Sequence, residues 1–184
     1  AECDPTVWNL VRTATDAGII VVAAAGNGAE DLDSEHYEQY MARGDSGSII
    51  VGAGLDDTTH RRASFSTFGS RLDVQAWGQF VMTGGYGICR FPGSTPEERH
   101  YTNRYSGTSS ASALVASAVT LLQSYARLEG NPLGPKEMRA LLHDTGVPQQ
   151  MPPRGEIGPH INLRNAVKAF RLNYARAPVR LQKA

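Results

Sequence analysis

The stretch IIVVAAAGNG, residues 19–28, decides the fold of this chain of 184 residues. Its first six residues are apolar and four of them are β-branched, which predicts a strand over residues 19–24 that is buried on both faces. The strand runs directly into Gly26, Asn27 and Gly28, which are turn formers. Because ligands of open α/β sheets bind just past the carboxyl ends of strands, this turn is a candidate functional site.

A helix is predicted immediately before the strand. Asp4 is a good N-cap, Pro5 suits the first helical turn, and apolar residues recur at helical spacing until Gly18, which suits a helix end. A helix that leads directly into a buried strand is typical of a parallel sheet. The expected fold class is therefore α/β with a mostly parallel sheet.

The rest of the chain continues this pattern. Residues 26–47 are polar and acidic and predict a long surface loop with one short helical turn. We predict strands at residues 48–53, 72–76 and 80–83, a long loop at 86–104, and helices at 108–126, 135–145 and from Asn162 to about 170.

The composition is that of an ordinary globular domain, with 41% hydrophobic and 20% charged residues and a formal net charge of zero. This balance indicates neither nucleic acid nor membrane as a partner, and the apolar runs are too short or too interrupted to span a bilayer.

No acid follows Glu156, so residues 171–184 predict a basic, solvated tail, with a docking surface for an acidic partner as the alternative. The two cysteines, Cys3 and Cys89, are too few for a disulfide framework, and their pairing stays open.

A second candidate site is GTSSASA, residues 107–113, where a strand-like segment leads through Gly107 into an alanine-rich helix. Ser109 falls in the first helical turn, where unpaired N–H groups and the helix dipole stabilise negative charge. Gly107 lets another chain approach the backbone closely. A Ser/Thr cap explains the same residues without chemistry. At the first site, the Asn27 amide can donate a hydrogen bond to an oxyanion, although an Asn-Gly turn needs no function either.

The order of these segments resembles the C-terminal half of the subtilisin family (subtilases, peptidase S8). AAGN at residues 24–27 matches a family motif, and residues 50–53 are similar to the family's AVGA strand. Residues 63–78 are similar to its ASFSxxG…DVxAPG run, and residues 107–113 to its GTSMASP nucleophile motif. The likeness implies the C-terminal part of a subtilisin-like three-layer fold.

The resemblance implies a role for each matching residue. Ser109 is the expected nucleophile of a serine endopeptidase that acts through an acyl-enzyme, and Asn27 with the Ser109 backbone N–H is the expected oxyanion hole. The expected substrate-binding residues are Ala24, Ala25, Gly26, Gly107 and Thr108. Three positions depart from the family: Trp77 and Ala113 replace prolines, and Ser110 replaces a methionine. The likeness makes residues 1–170 half of a catalytic domain and residues 171–184 its tail.

The expected acid and base are not found in this sequence. In subtilisin the triad follows the chain order Asp, His, Ser, so both should precede AAGN. Only 23 residues stand before that motif, and none is a histidine. Asp16 has Ala17-Gly18 after it, as the family's aspartate has Thr-Gly, but it ends a predicted helix rather than a strand. We expect a missing N-terminal segment or a separate chain to supply Asp and His, and this chain to be inactive alone.

The five histidines, which are His36, His60, His100, His143 and His160, all lie outside the family's His-Gly-Thr context. Two alternatives therefore stay open: a catalytically inactive subtilase-like module that binds a peptide or protein, and a structural module that docks through the tail. Intact Ser109 and Asn27 favour the protease, whose partner is a peptide or protein substrate.

No cofactor or metal site is expected, with calcium kept open because subtilisin-like proteins often bind it. The acidic loop over residues 30–38 is the place considered for it, although its spacing fits no standard calcium loop. If that loop borders the cleft, it favours basic residues in the substrate. Most subtilases are exported, so the resemblance implies a secreted or cell-envelope protein.

Overall fold

The computed structural model describes residues 2–89, 101–150 and 155–173, without the side chains of residues 85–89. Its centre is a parallel sheet of three strands, β1 (Val22–Ala24), β2 (Ile49–Gly54) and β3 (Val74–Trp77), in the order β1-β2-β3. Val22 pairs with Ile49, and Val51 pairs with Val74. All six residues of β2 are buried, because it is the middle strand. The predicted α/β fold class with a parallel sheet is confirmed.

The described segments contain five α-helices, which are α1 (Pro5–Asp16), α2 (Glu38–Met41) after a 3-10 turn (Glu35–Tyr37), α3 (Thr108–Leu128), α4 (Pro135–Thr145) and α5 (Leu163–Asn173). The Asp4 carboxylate caps α1 by accepting hydrogen bonds from the Thr6 N–H at 2.8 Å and the Val7 N–H at 3.1 Å. The predicted boundaries of α4 are confirmed, and α3 is two residues longer than predicted. None of the helices in the described segments is long and apolar enough to cross a bilayer.

The two faces of the sheet are covered by separate apolar clusters. On one face, Val51 and Val74 pack with Val115 and Leu122 of α3 and with Phe170 of α5. On the other face, Ile50 packs with Leu72 and Ile157, and Trp8 of α1 lies partly buried against this cluster. The result is three layers, as the family resemblance implies. Each large apolar side chain buried in this way stabilises the fold by about 1.5–3 kcal/mol.

The prediction of a fully buried strand over residues 19–24 is wrong in its extent. The strand is limited to Val22–Ala24, its residues are only half-buried, and Ile19 is 58% exposed. The reason is its position, because β1 is the edge of the sheet and pairs only with β2 among the described strands.

The predicted loop over residues 86–104 is also wrong at both ends. Strand β4 (Val81–Cys89) is longer than predicted and pairs antiparallel with β5 (Tyr101–Tyr105), which forms a second sheet of two strands. Its middle, residues 90–100, lies outside the described residues, and so do residues 174–184 of the predicted basic tail.

A buried polar network ties the start of the chain to the sheet. The Glu2 carboxylate accepts hydrogen bonds from Tyr40 Oη at 2.8 Å, Ser46 Oγ at 2.7 Å and Ser48 Oγ at 2.9 Å. Arg71 Nη2 lies 3.1 Å from Glu2 and Arg71 Nη1 lies 2.9 Å from Asp73. Burial acts to raise the pKa of Glu2, but these hydrogen bonds and the Arg71 charge together hold it below its ordinary value.

Candidate active site

Three backbone segments meet at the carboxyl end of the parallel sheet. Gly26 and Asn27 follow β1, Gly78 follows β3, and Gly107 precedes α3. The Gly107 N–H donates to the Gly78 carbonyl at 2.8 Å, and the Gly78 N–H donates to the Gly54 carbonyl at 2.9 Å. These bonds bring the start of α3 to the edge of the sheet where ligands bind in α/β proteins.

Two of these positions require glycine. A Cβ atom on Gly78 would overlap the Cβ of Ala53, and a Cβ on Gly107 would lie 3.2 Å from Asn27 Nδ2. Gly107 also has φ of 117°, which L side chains rarely adopt. The close approach of strand end, turn and helix therefore depends on the absence of side chains there.

Asn27 is held by Thr108. Its Oδ1 atom accepts hydrogen bonds from the Thr108 N–H and from Thr108 Oγ1, each at 2.9 Å. Because a backbone N–H can only donate, the oxygen of the amide must face Thr108 and the Nδ2 donor must face away. Asn27 is exposed, so its NH₂ group is presented to the surface beside Gly107.

The Thr108 hydroxyl also connects the two candidate sites. It accepts a hydrogen bond from the Gly26 N–H at 3.1 Å while it donates to Asn27. Thr108 is 1% exposed, so this hydroxyl is inside the protein rather than on a substrate-facing surface. The family motif predicts Thr108 as a substrate-binding residue and does not predict this bridge.

Ser109 is the exposed hydroxyl of the segment. Its neighbours Thr108 and Ser110 are buried, and Ser110 Oγ points to the Trp77 carbonyl at 3.5 Å. Within the described residues, neither Ser109 Oγ nor its backbone N–H has a hydrogen-bond partner. A free hydroxyl and a free N–H at a helix N-terminus fit a nucleophile beside an oxyanion donor.

No described histidine is hydrogen-bonded to Ser109. His36 lies against Tyr37, His143 bonds Asp144 at 3.1 Å, and His60 and His160 contact each other. His100 lies outside the described residues. A general base for Ser109 is therefore not among the histidines that the structure describes.

The other predicted substrate-binding residues lie on the same side. Ala24, Ala25 and Gly26 are half-buried, and a Cβ on Gly26 would meet Thr67 Oγ1 at 3.4 Å. They lie directly before Asn27 in the chain, and their role as a wall for a substrate side chain stays a prediction.

The acidic loop is organised by its own hydrogen bonds. Asp33 accepts a bond from the Ser70 N–H at 2.8 Å, and Asp31 accepts one from the Asp33 N–H at 3.0 Å. Among the described residues no group of three or more His, Cys, Asp and Glu side chains is arranged to hold a metal ion. Cys3 is a free, half-buried thiol, and the Cys89 side chain is outside what the structure describes.

Trp77 is half exposed and covers a histidine. Its ring lies 5.2 Å from that of His160, with 47% of the residue accessible. The sequence did not indicate this contact, because nothing in the spacing of Trp77 and His160 brings them together. The role of Gly78 as the acceptor for the Gly107 N–H was not predicted either. A signal for it was present, because Gly78 matches the final glycine of the family's DVxAPG run.

These features define an α/β protein with a candidate nucleophile and oxyanion donor where the parallel strands end. Residues 1–165 match the Subtilase family, Peptidase S8. The chain therefore belongs to the subtilase family, the family of subtilisin-like serine peptidases.

Relatives of known sequence agree with this family. Subtilisin DY from Bacillus licheniformis is 38% identical over 114 residues, which are 62% of this chain and 36% of the relative. An extracellular protease from Xanthomonas campestris is 30% identical over 150 residues, 78% of this chain and 22% of the relative.

Solved structures show the same fold. The self-cleaved protease domain of PatA has a TM-score of 0.65 and 24% identity, over 91% of this chain and 56% of that one. A protease from Pseudoalteromonas arctica has a TM-score of 0.65 and 24% identity, over 91% and 47%. The chain thus spans about half the length of these solved structures.

Proposed function

We propose that this chain supplies the nucleophile and the oxyanion hole of a serine endopeptidase. The observation that carries the proposal is the pair of hydrogen bonds from Thr108 to Asn27 Oδ1, each 2.9 Å, which aim the Asn27 NH₂ group outward next to the exposed Ser109.

The chemistry follows from these groups. Ser109 Oγ attacks the carbonyl carbon of a peptide bond while a base takes its proton, and the carbonyl oxygen becomes an oxyanion. Asn27 Nδ2–H and the Ser109 N–H donate to that oxygen. When the C–N bond breaks, the proton passes to the leaving amine, and an acyl-enzyme ester remains on Ser109. Water then attacks the ester carbonyl while the base takes a proton from it, the bond between that carbon and Ser109 Oγ breaks, the base returns the proton to Oγ, and the new carboxylic acid leaves.

We propose that the base and its aspartate come from another segment, and that the open edge of β1 is where this segment binds. Alternation along β1 sends the N–H and C=O groups of Val22 and Ala24 away from β2, to an edge with no described partner. On the segments that lead into β1, Val7 and Leu10 of α1 are 39% and 65% exposed, and Ile19, three residues before the strand, is 58% exposed. An open strand edge with apolar neighbours is a pairing site for another strand.

The long helix α3 indicates the same surface. Its outward residues include Ala113, Ser117, Leu121 and Leu128, and it carries no charged residue before Arg127. A solvated helix face normally carries charges. We therefore propose that an N-terminal segment or chain with the catalytic Asp and His covers the β1 edge and this face of α3.

The proposed substrate is a peptide or protein outside the cell. Export is proposed because the Xanthomonas relative is named an extracellular protease. A preference for basic residues is proposed from Glu30, which is exposed, follows Asn27 by three residues and has no ion pair among the described residues. Cleavage of matched Arg- and Gln-containing peptides tests it, and equal rates would remove it.

The main proposal is tested with a fluorophosphonate probe, which reacts with activated serines. The protein assembled with its completing segment is expected to gain one label on the peptide containing Ser109. Ser109→Ala should remove the label, and Ser112→Ala, a nearby serine on the same helix, should keep it. If the assembled wild-type protein is never labelled, the inactive peptide-binding module becomes the better account.

A further inference from the structure

The candidate site leaves unused a pair of histidines beside β3. The rings of His60 and His160 lie 4.6 Å apart between centroids, with an angle of 36° between their planes. His160 is 9% exposed and His60 is half-buried. His60 Nδ1 and His160 Nε2 are both buried and have no hydrogen-bond partner within the described part of the chain.

His160 belongs to a segment that extends the sheet beyond β3. The Gln75 N–H donates to the Pro159 carbonyl at 2.9 Å, and the Ile161 N–H donates to the Gln75 carbonyl at 3.1 Å. The Gln75 side chain joins both histidine segments, because Nε2 donates to the carbonyls of His60 and Gly158 at 2.9 Å each. The ring pair therefore packs where three backbone segments are held together.

The histidine pair is connected to the candidate nucleophile through the end of β3. The Trp77 ring covers His160, and the next residue, Gly78, accepts the hydrogen bond from the Gly107 N–H. Thr108 and Ser109 follow directly. The end of β3 and the start of α3 are thus joined directly by a backbone hydrogen bond.

We propose that the His60–His160 pair is an acid-sensitive latch. With the His160 ring neutral, it holds residues 158–161 against β3. A proton on His160 loosens that contact and, through Trp77 and Gly78, the loop that carries Ser109.

The hydrogen bonds decide which atom takes the proton. His160 Nδ1 lies 3.1 Å from the Ile161 carbonyl, which can only accept, so Nδ1 carries the hydrogen and Nε2 is the free basic atom. A proton on Nε2 creates a buried charged donor with no acceptor, which is costly.

The surrounding charges do not compensate for this proton. Within the described segments, His60 is the one titratable group found to act on His160. On the loop that carries His60, Asp57 interacts with His60 and with Arg61, whose Nη2 lies 3.8 Å from it. Gln75 and Trp77 of β3 are uncharged. The Trp77 ring offsets part of the cost, because a cation over an aromatic face is stabilised.

Burial, and secondly the nearby His60, lower the pKa of His160 below its ordinary value of 6.5. The unfolded chain therefore binds the proton first as the pH falls. The latch is fully stabilising above the unfolded value and is lost as the pH falls from 6.5 through the lower folded value. One such proton changes the unfolding equilibrium constant up to about tenfold per pH unit.

The test measures unfolding and amide exchange in the full protein between pH 8 and pH 5. The unfolding midpoint of the wild type is expected to fall with acid, and protection of the Gly107 amide against hydrogen exchange is expected to fall about tenfold more than that of Val51 in β2. His160→Phe keeps a ring against Trp77 but removes the proton site, so it should lose most of this acid dependence. His143→Gln, an exposed histidine on α4, should change neither.

Two results would overturn the latch: an acid dependence in His160→Phe equal to that of the wild type, or an NMR titration of His160 with a pKa at or above 6.5 in the folded protein. The NMR titration keeps the proposal testable if the variant fails to fold. Trp77→Leu gives a second check, because loss of the aromatic face should raise the acid sensitivity. None of these readouts needs proteolysis, so a Ser109 that never reacts would leave the latch standing.

Discussion

The two edges of the three-stranded sheet differ in completeness. At the β3 edge, Gln75 exchanges backbone hydrogen bonds with Pro159 and Ile161, and the strand residues Val74 to Ala76 are buried. At the β1 edge, the described residues provide no partner and every strand residue is only half-buried. The described chain therefore covers the β3 edge, whereas the β1 edge is the surface proposed above to bind another segment.

The candidate site draws on both sides. The loop before Ser109 is anchored to the β3 side of the sheet through the Gly107–Gly78 hydrogen bond, whereas Asn27 follows directly from β1. Thr108 is the bridge between them. The nucleophile and the oxyanion donor are therefore both expected to be pre-positioned by this chain, whereas the base is proposed to come from a segment that covers the β1 edge.

The largest expected effect is loss of the nucleophile, which is anchored to the β3 side of the sheet. Ser109→Ala in the assembled protein should reduce peptide hydrolysis by about a millionfold, the magnitude known for loss of the nucleophile in subtilisin itself. The reason is that no other exposed hydroxyl lies in the first turn of α3. Steady-state kcat with a peptide substrate checks it, and Ser112→Ala is the control. Activity retained in Ser109→Ala would contradict the assignment.

The next effect concerns the oxyanion donor. Asn27→Leu removes the Nδ2 donor at similar size and should lower kcat by about 10²–10³, again a figure known from subtilisin. KM should change little, since the bond forms to the developing oxyanion rather than to the bound substrate. A loss confined to KM would mean that Asn27 binds substrate and does not stabilise the transition state.

A smaller effect is expected on binding of the proposed completing segment at the β1 side. Leu10→Glu places a charge on the exposed apolar side of α1 and should weaken binding of the completing segment about tenfold to a hundredfold, the value of burying one leucine. Leu172→Glu is the matched control, since Leu172 is 84% exposed on α5, a helix that packs against α3 and α4. Equal binding by the two variants would argue that α1 is an ordinary solvated helix.

The smallest of these effects sharpens the role of the bridge. Thr108→Val removes the hydroxyl bonds to Asn27 and Gly26 but keeps the backbone bond, so kcat should fall about tenfold, the worth of one to two hydrogen bonds. Thr108→Ser should recover most of the rate. If Thr108→Ser is as slow as Thr108→Val, the methyl contact and not the hydroxyl holds the site.

The sequence predicts local elements where one signal acts alone. The Asp4 cap, the Pro135 start of α4 and the central strand β2 were all readable from residue type and spacing. The motifs around Asn27 and Ser109 also placed both residues on one edge of the sheet. The length of β1 was overestimated, because the sequence of an apolar run does not distinguish a strand in the middle of a sheet from one at its edge.

Other features could not be predicted because they depend on contacts between distant segments. The Thr108–Asn27 bridge joins residues 81 positions apart. The contact of His160 with His60 and Trp77 exists only because residues 158–161 return to β3. The pairing of β4 with β5 was not predicted, although residues 80–83 were predicted as a strand and the segment before Gly107 as strand-like, because the glycines in the second half of β4 resemble a loop.

The most direct test of the two-part account compares the rate of fluorophosphonate labelling of this chain alone and after mixing with the proposed completing segment. We predict no measurable labelling alone and rapid labelling of Ser109 in the mixture, because Ser109 Oγ has no base within the described residues. Equal labelling with and without the segment, or none in a mixture shown to be assembled, would contradict the central claim that this chain is the nucleophile half of a subtilase.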